Sequence, residues 1–172
     1  MLLTNILLIN RMASMNSASE QQTAEEIQNW TMVFPNQANP NGNMFGGDLL
    51  AIMDTTAAMA AKRYCQLDVS TISVEAVHFT KPILVGDNIK TTAKVVLVGN
   101  TSMMVKTESF RDIGSNQFEQ CVIAYFSLVA FDKKRKPTKV PSLKLLDHDL
   151  SDYQDALTVK KFASKRQAIL YK

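Results

Sequence analysis

Gly46 and Gly47 precede a run of helix-forming residues and are the first candidates for chemistry in this chain. Because the first N–H groups of a helix have no partners within the helix, they point outward from its end. The bare glycine backbone lets a ligand approach them closely, so the junction suits a phosphate or a carbonyl oxygen that develops negative charge. The alternative is that the two glycines only permit a tight turn.

Asp54 is the second candidate. It lies seven positions beyond Gly47, close to two helical turns, and therefore falls on the same helix face among apolar and small residues. A carboxylate in such surroundings suits a general base or a nucleophile. The alternative is an aspartate that faces solvent or accepts a hydrogen bond from a nearby hydroxyl, such as that of Thr55 or Thr56.

The spacing of these candidates has a geometric consequence. Seven residues of helix span roughly 10 Å, whereas a base and an oxyanion donor that act on one carbonyl carbon must both lie within about 4 Å of the reacting group. One helix therefore cannot supply both groups to the same carbonyl. If both act, they come from two chains, and the site lies at a two-fold interface between identical subunits.

The order of predicted elements indicates an α+β domain. A strand is predicted at residues 30–35, and residues 36–47 form a loop rich in Asn and Gly. The apolar spacing from Asp48 to Tyr64 predicts one long helix. Four further strands are predicted at residues 71–79, 88–98, 101–111 and 119–131. Tight turns make such strands antiparallel neighbours, so we expect one helix packed against a curved antiparallel sheet.

Length and composition are those of one globular domain. With 172 residues, 46% of them hydrophobic, the chain can bury a core of its own. A formal net charge of +3 is too small to indicate a nucleic-acid-binding protein. Cys65 and Cys121 lack the spacing of a zinc site or a disulfide framework, which favours a reducing cytoplasm. No apolar run reaches the roughly 18 residues that a membrane-spanning helix needs.

The two ends of the chain differ from its middle. Residues 1–28 predict a flexible N-terminal arm, of which residues 1–14 are expected to contribute nothing to the fold. Residues 29–142 carry the predicted helix and strands and form the expected domain. In residues 143–172, acidic side chains precede basic ones, an order that complements a helix dipole, so we expect a C-terminal helical tail on the surface or docked on a neighbouring subunit.

The segment from Asn39 to Gly47 (NPNGNMFGG), followed by Met53-Asp54, carries a resemblance to a known family. The match covers about residues 30 to 141 and continues through Phe79, Pro82, Gly86-Asp87 and Gly99-Asn100-Thr101-Ser102. The chain resembles the hotdog-fold acyl-CoA thioesterases of the bacterial YciA and eukaryotic brain acyl-CoA hydrolase type. The resemblance implies a long central helix wrapped by a curved antiparallel sheet of about five strands, and subunits that pair through their sheets into dimers and then commonly into hexamers.

The resemblance also implies a role for each matched position. It makes Asp54 the catalytic carboxylate, acting as a base on water or as a nucleophile toward the thioester. It makes Asn39 of the opposing subunit a group that positions substrate or water. Gly46 and Gly47 match the helix start that polarises the thioester carbonyl, and Phe45 within the motif is expected to contact the substrate.

Coenzyme A carries a diphosphate and a 3′-phosphate, so a basic strip is expected at the mouth of the site. The candidate is the turn after the last strand, formed by Lys133, Lys134, Arg135 and Lys136. The resemblance aligns this turn with the nucleotide-contacting turn of the family, whereas the alternative is a merely solvated run of charges. Thr101 and Ser102, at a hairpin tip, are candidates to bind the pantetheine or the phosphates, or else ordinary turn residues.

The expected function is hydrolysis of acyl-CoA to free fatty acid and coenzyme A, with no cofactor and with coenzyme A only as part of the substrate. We expect a cytoplasmic homodimer assembled into a hexamer, with no nucleic-acid or membrane partner. Two alternatives on the same fold stay open: a non-catalytic acyl-CoA-binding regulator and a thioesterase that acts on acyl carrier protein. Related dehydratases use a His near the start of the central helix, and residues 36–64 contain none.

Overall fold

The computed structural model describes residues 21–170. Within them the helices and strands follow in the order β1 (Gln21–Gln22), β2 (Ile27–Met32), α1 (Gly46–Cys65), β3 (Asp68–Phe79), β4 (Asn88–Val98), β5 (Ser102–Asp112), β6 (Phe118–Phe131), β7 (Ser142–Leu143) and α2 (Leu150–Leu170). Residues 1–14, which are expected to contribute nothing to the fold, lie outside the described residues.

Five strands form one antiparallel sheet in the order β2-β4-β5-β6-β3. Short turns join β4 to β5 and β5 to β6, as the Gly99-Asn100 pair predicts for the first of them. The long strand β3 pairs with β6, from Asp68 opposite Phe131 to Phe79 opposite Val122. Because β2 and β3 are the outermost strands, each has one edge without a partner among residues 21–170.

The inner face of the sheet curves around α1. Ala57, Ala60 and Ala61 of the helix are buried, and they pack in one core with large sheet residues such as Phe126 and Leu128. The small helix residues let the strands approach the helix axis closely, while the large residues opposite supply the apolar contact area. One helix wrapped by a five-stranded antiparallel sheet is the α+β, hotdog arrangement expected from the sequence, which is thereby confirmed.

Three elements begin two or more residues before their predicted bounds, among them β3, which begins at Asp68 instead of residue 71. Helix α1 begins at Gly46 instead of residue 48. Strand β2 begins at Ile27 instead of residue 30, and its residues alternate between half-buried and exposed. The polar Gln28 and Asn29 hide this alternation in the sequence, although the Asn29 side chain turns inward and donates a hydrogen bond to Thr56 Oγ1 (3.4 Å). The described part of the predicted arm therefore contains β1, which pairs in parallel with β7, and the start of β2.

The second helix, α2, packs on the outer face of the sheet. Its Ala156 joins a small apolar cluster with Leu97, Met104 and Tyr125. Three ion pairs connect the helix and the turn before it to β4, β5 and β3, namely Lys94–Asp149, Lys106–Asp152 and Arg166–Glu75. The predicted tail is thus a helix that covers the sheet of its own subunit. Among residues 21–170 no helix is long and apolar enough to span a membrane.

Candidate active site

The first N–H groups of α1 are available to a ligand. The helix is preceded by Phe45, and no side chain caps its N-terminus. The N–H groups of Gly46 and Gly47 have no hydrogen-bond partner within the described residues. They lie at the positive end of the helix macrodipole, where they suit an oxygen atom that gains negative charge.

An open cavity of about 470 Å³ lies at this helix end. Its lining is mainly apolar and includes Met44, Leu49, Pro82, Ile83 and Val122. Gly46 and Phe79 also line it, and a Cβ atom at Gly46 would lie 3.3 Å from the Phe79 ring. A Cβ atom at Gly47 would overlap the half-exposed ring of Phe45. Two aromatic rings therefore pack against the glycine backbone. This packing excludes a side chain at either position more strictly than a tight turn alone would.

Asn39 also lines the cavity. Its Oδ1 atom accepts hydrogen bonds from the N–H groups of Asn41 (2.9 Å) and Asn43 (3.2 Å), which fixes the loop before α1. The Nδ2 atom is left without a partner among residues 21–170 and can bind a carbonyl oxygen or a water molecule. The structure thus brings two of the predicted site residues, Asn39 and Gly46, into one cavity.

Asp54 lies outside this cavity, two turns along α1. Its half-buried carboxylate accepts a hydrogen bond through Oδ1 from Thr71 Oγ1 of β3, at 2.6 Å. This contact fixes the side chain and leaves Oδ2 as the atom that can take a proton. Thr71 was not identified from the sequence, because nothing in an alternating strand marks one threonine as the partner of a helix carboxylate.

The neighbouring hydroxyls do not hold Asp54. Thr55 donates to the carbonyl oxygen of Ala51 (2.8 Å), and Thr56 donates to that of Ile52 (2.7 Å), one turn back along the helix. Each hydroxyl has a single proton to donate, so neither bonds the carboxylate. Asp54 is therefore positioned by the edge strand β3 and not by its own helix.

Other reactive groups are poor candidates. Cys65 and Cys121 are buried free thiols, and burial raises the pKa of both, which disfavours a reactive thiolate. At the rim of the cavity Lys81 is paired with Glu119, and its hydrogen bond lowers the pKa of that carboxyl. Residues 21–170 contain no group of three or more His, Cys, Asp or Glu placed to hold a metal ion.

The basic turn lies at the opposite end of the sheet from the cavity. Its four cations, Lys133, Lys134, Arg135 and Lys136, are exposed. Asp132 closes the turn through Oδ1, which accepts hydrogen bonds from two N–H groups at 2.8 and 2.9 Å. The turn follows Phe131, which pairs with Asp68, the first residue of β3. The cavity adjoins Phe79, the last residue of β3, roughly 35 Å away along the strand.

The hairpin residues Thr101 and Ser102 lie at the same end as the basic turn. Ser102 pairs with Val129 of β6, and the Thr101 carbonyl accepts a hydrogen bond from the Ala130 N–H (2.9 Å). Ser102 borders a separate cavity of about 210 Å³ between α2 and the sheet. Within one chain the predicted site residues therefore form two groups, one toward each end of β3.

Comparison with known proteins agrees with this geometry. A family model of the thioesterase superfamily matches residues 41–116. An uncharacterised acyl-CoA thioester hydrolase of Zymomonas mobilis is 32% identical over 114 residues, which cover 65% of this chain and 76% of that protein. The acyl-CoA thioester hydrolase YciA of Escherichia coli is 34% identical over 115 residues, which cover 64% of this chain and 87% of that protein.

Solved structures show the same fold. The acyl-CoA hydrolase of Staphylococcus aureus, in complex with butyryl coenzyme A, coenzyme A and coenzyme A disulfide, matches with a TM-score of 0.79 and 30% identity over 83% of this chain and 88% of that one. A hexameric acyl-CoA thioesterase in its apo form matches with a TM-score of 0.81 and 27% identity over 87% of this chain and 98% of that one.

Single alanine variants of the S. aureus enzyme have been solved at an Asn, an Asp and a Thr. In that enzyme the Asp follows the Asn by 15 residues, and the Thr follows the Asp by 17. Asn39, Asp54 and Thr71 are the same residue types at the same spacings.

A helix with a free N-terminus, wrapped by a curved sheet and carrying a carboxylate held at the sheet edge, defines a hotdog-fold hydrolase. The chain belongs to the thioesterase superfamily, within its family of acyl-CoA thioester hydrolases. The family and the enzyme class expected from the sequence are confirmed.

Proposed function

We propose that this chain hydrolyses acyl-CoA thioesters to free fatty acid and coenzyme A at a site shared by two subunits. The separation of the two residue groups is the observation that carries the proposal. Gly46 adjoins Phe79 at one end of β3, whereas Asp54 is bonded to Thr71 toward the other end. Because one carbonyl carbon needs both groups within about 4 Å, one subunit alone does not supply a complete site.

Antiparallel pairing of two β3 strands about a two-fold axis joins the groups. β3 is an edge strand, and it exposes the apolar side chains of Ile72 (58%) and Val74 (40%). In such a pair the start of one strand lies beside the end of the other. Asp54 of one subunit then faces the cavity of the other, which holds Asn39 and the helix end at Gly46.

The reaction follows from these positions. The N–H groups of Gly46 and Gly47 bind the thioester carbonyl oxygen and stabilise its negative charge as water attacks the carbonyl carbon. Asp54 Oδ2 takes a proton from that water, and Asn39 Nδ2 orients the reacting groups. When the C–S bond breaks, the proton passes from Asp54 to the departing sulfur, which yields a carboxylic acid and the coenzyme A thiol.

The same pairing accommodates the rest of the substrate. The apolar lining of the cavity receives the acyl chain, with the Phe45 ring beside the helix start. The basic turn, residues 133–136, of the opposite subunit lies toward the cavity mouth, where the diphosphate and the 3′-phosphate need positive charge. Thr101 and Ser102 lie at that same end of the sheet, where they contact pantetheine or phosphate.

A homodimer is the minimal unit of this site, and a hexamer of three dimers is the proposed assembly, supported by the hexameric thioesterase of the same fold. Residues 29–142 form the catalytic domain, which also includes the start of β2 at Ile27, and the helical tail begins at residue 143. The reaction needs neither metal nor cofactor, since water and a carboxylate suffice. The buried free thiols of Cys65 and Cys121 support a reducing, cytoplasmic location.

The test is steady-state thiol release from short, long and aromatic acyl-CoAs by the wild type and by Asp54→Asn. The substitution keeps the shape of the side chain, so thermal unfolding serves as the folding control. We expect kcat to fall by about 100-fold or more at an unchanged Tm. A folded wild type that binds acyl-CoA without turnover would instead indicate a regulator. Equal rates on acyl-pantetheine would favour an acyl carrier protein substrate.

A further inference from the structure

The helix α2 runs across the outer face of the sheet toward the free edge of β3. The turn before it is fixed to β4 by the Lys94–Asp149 ion pair, and its first turn is fixed to β5 by Lys106–Asp152 (2.9 Å). Near its other end Arg166 pairs with Glu75 of β3, and also donates a hydrogen bond to the Glu75 carbonyl oxygen (3.3 Å). The helix therefore crosses four neighbouring strands and arrives at the outermost one.

The helix is longer than the part of the sheet that it crosses. Its 21 residues span about 31 Å, and Arg166, four residues before the end, already lies over the outermost strand β3. Ala163 is the last buried residue, and every residue from 164 to 170 is exposed. We call residues 164–170 the α2 tail. Ser164 and Gln167 still border the cavity above the sheet, and Arg166 pairs with Glu75, so only the last residues of the tail extend beyond these contacts.

The face of α2 that contacts the sheet ends in an exposed apolar residue. Ala156, Ala163, Arg166 and Leu170 recur at helical spacing and share one face. Ala156 and Ala163 of this face are buried, and Arg166 reaches down to Glu75, yet Leu170 is 64% exposed. Ile169, about 100° away around the helix, is 72% exposed. The face that contacts the sheet thus continues through Leu170, one turn beyond the Arg166–Glu75 pair at the edge strand.

We propose that the α2 tail docks on the outer face of a second copy of this chain, across the junction between two paired β3 strands. The proposal rests on the β3 pairing of the proposed function, which places the sheet of the second copy directly beyond this edge. Ile72 of β3, 58% exposed and facing the α2 side, supplies an apolar contact there. Each tail then holds the partner subunit, so the helix stabilises the dimer on which the shared active site depends.

The test compares two variants on the same helix. Ile169→Gln/Leu170→Gln removes the apolar contacts of the tail and keeps good helix formers. Leu157→Gln is the matched control, because Leu157 is also exposed (42%) but precedes the tail. Native mass spectrometry and sedimentation over a dilution series measure the dimer dissociation constant, with circular dichroism as the folding control. We expect the dimer dissociation constant to rise about tenfold or more in the double variant and to keep its wild-type value in Leu157→Gln.

The possible outcomes distinguish a failure of the α2 tail proposal from a failure of the shared active site. An unchanged dimer in the double variant, or a hexamer that falls apart into intact dimers, would show that the tail does not bridge the β3 junction. A wild type that is an active monomer would overturn the shared site and the tail together. Hydrogen exchange adds a readout that needs no variant: amides of residues 164–170 should exchange slowly in the dimer and quickly after dilution to monomers, and equal rates would contradict the proposal.

Discussion

The helices α1 and α2 lie on opposite faces of one sheet and are held there by different forces. Helix α1 buries eight of its side chains in the main core. Helix α2 buries two, Ala156 and Ala163, and relies on ion pairs at the edges of its contact. Burial fixes α1 within the curve of the sheet, which suits the proposed catalytic placement of Gly46 and Asp54. The weaker attachment of α2 suits its proposed role in assembly.

The largest expected difference between the helices is in stability. Ala57→Leu on α1 forces a large side chain between the helix and the closely wrapped sheet, and should lower the free energy of unfolding by about 3 kcal/mol. Ala156→Leu, at an equally buried position of α2, should cost about 1 kcal/mol, because α2 can shift outward. Urea unfolding of both variants measures the difference. Equal losses would contradict the distinction between a fixed and an adjustable helix.

A substitution at Thr71 tests whether its hydrogen bond to Asp54 on α1 contributes to catalysis. The Thr71 side chain acts through Asp54, so Thr71→Val should lower kcat about tenfold while KM for acyl-CoA changes little. Thr71→Ser, which retains the hydroxyl, should restore kcat. A Val variant with wild-type kcat would mean that the 2.6 Å contact is only structural.

The smallest effect concerns the attachment of α2. Burial alone would raise the pKa of Asp149, but hydrogen bonds from Lys94 and from the Leu146 N–H hold it below its ordinary value of 3.8. A lowered pKa in the folded state adds stability above the unfolded value, and this is lost as the pH falls through the folded one. Asp149→Asn should thus cost about 1 kcal/mol at pH 7.

The pH dependence supplies the control for this variant. The stability difference between wild type and Asp149→Asn, measured by urea unfolding, should persist at pH 5 and vanish well below pH 3.8. A difference that stays constant down to that pH would show that the ionised carboxylate is not what holds the turn. Acyl-CoA hydrolysis by the assembled enzyme should be unaffected at pH 7.

Much of the candidate site on α1 could be predicted from the sequence, because the patterns that indicate it are local. The glycine pair marks the start of α1, and the spacing to Asp54 predicts a site shared by two chains. The partner of Asp54 could not be predicted, because Thr71 meets it only through tertiary packing. The start of β2 was missed because Gln28 and Asn29 interrupt the apolar alternation.

The packing position of α2 could not be predicted from the sequence for a related reason. Its contact face combines two alanines with Arg166, so it shows no continuous apolar stripe, and the ion pairs that hold it join residues 46 to 91 positions apart. The order of charges along residues 143–172 predicts a helix but does not indicate where that helix packs.

The central claim is that each active site takes Asp54 from one subunit and Asn39 from the other. Asp54→Ala and Asn39→Ala, each nearly inactive alone, would be co-expressed in equal amounts and purified together, without separation of the three possible dimers. A shared site restores about a quarter of wild-type acyl-CoA hydrolysis, because random pairing leaves one site in four with both residues intact. Hydrolysis no higher than that of the two single variants would contradict the claim, since both residues would then act within one subunit.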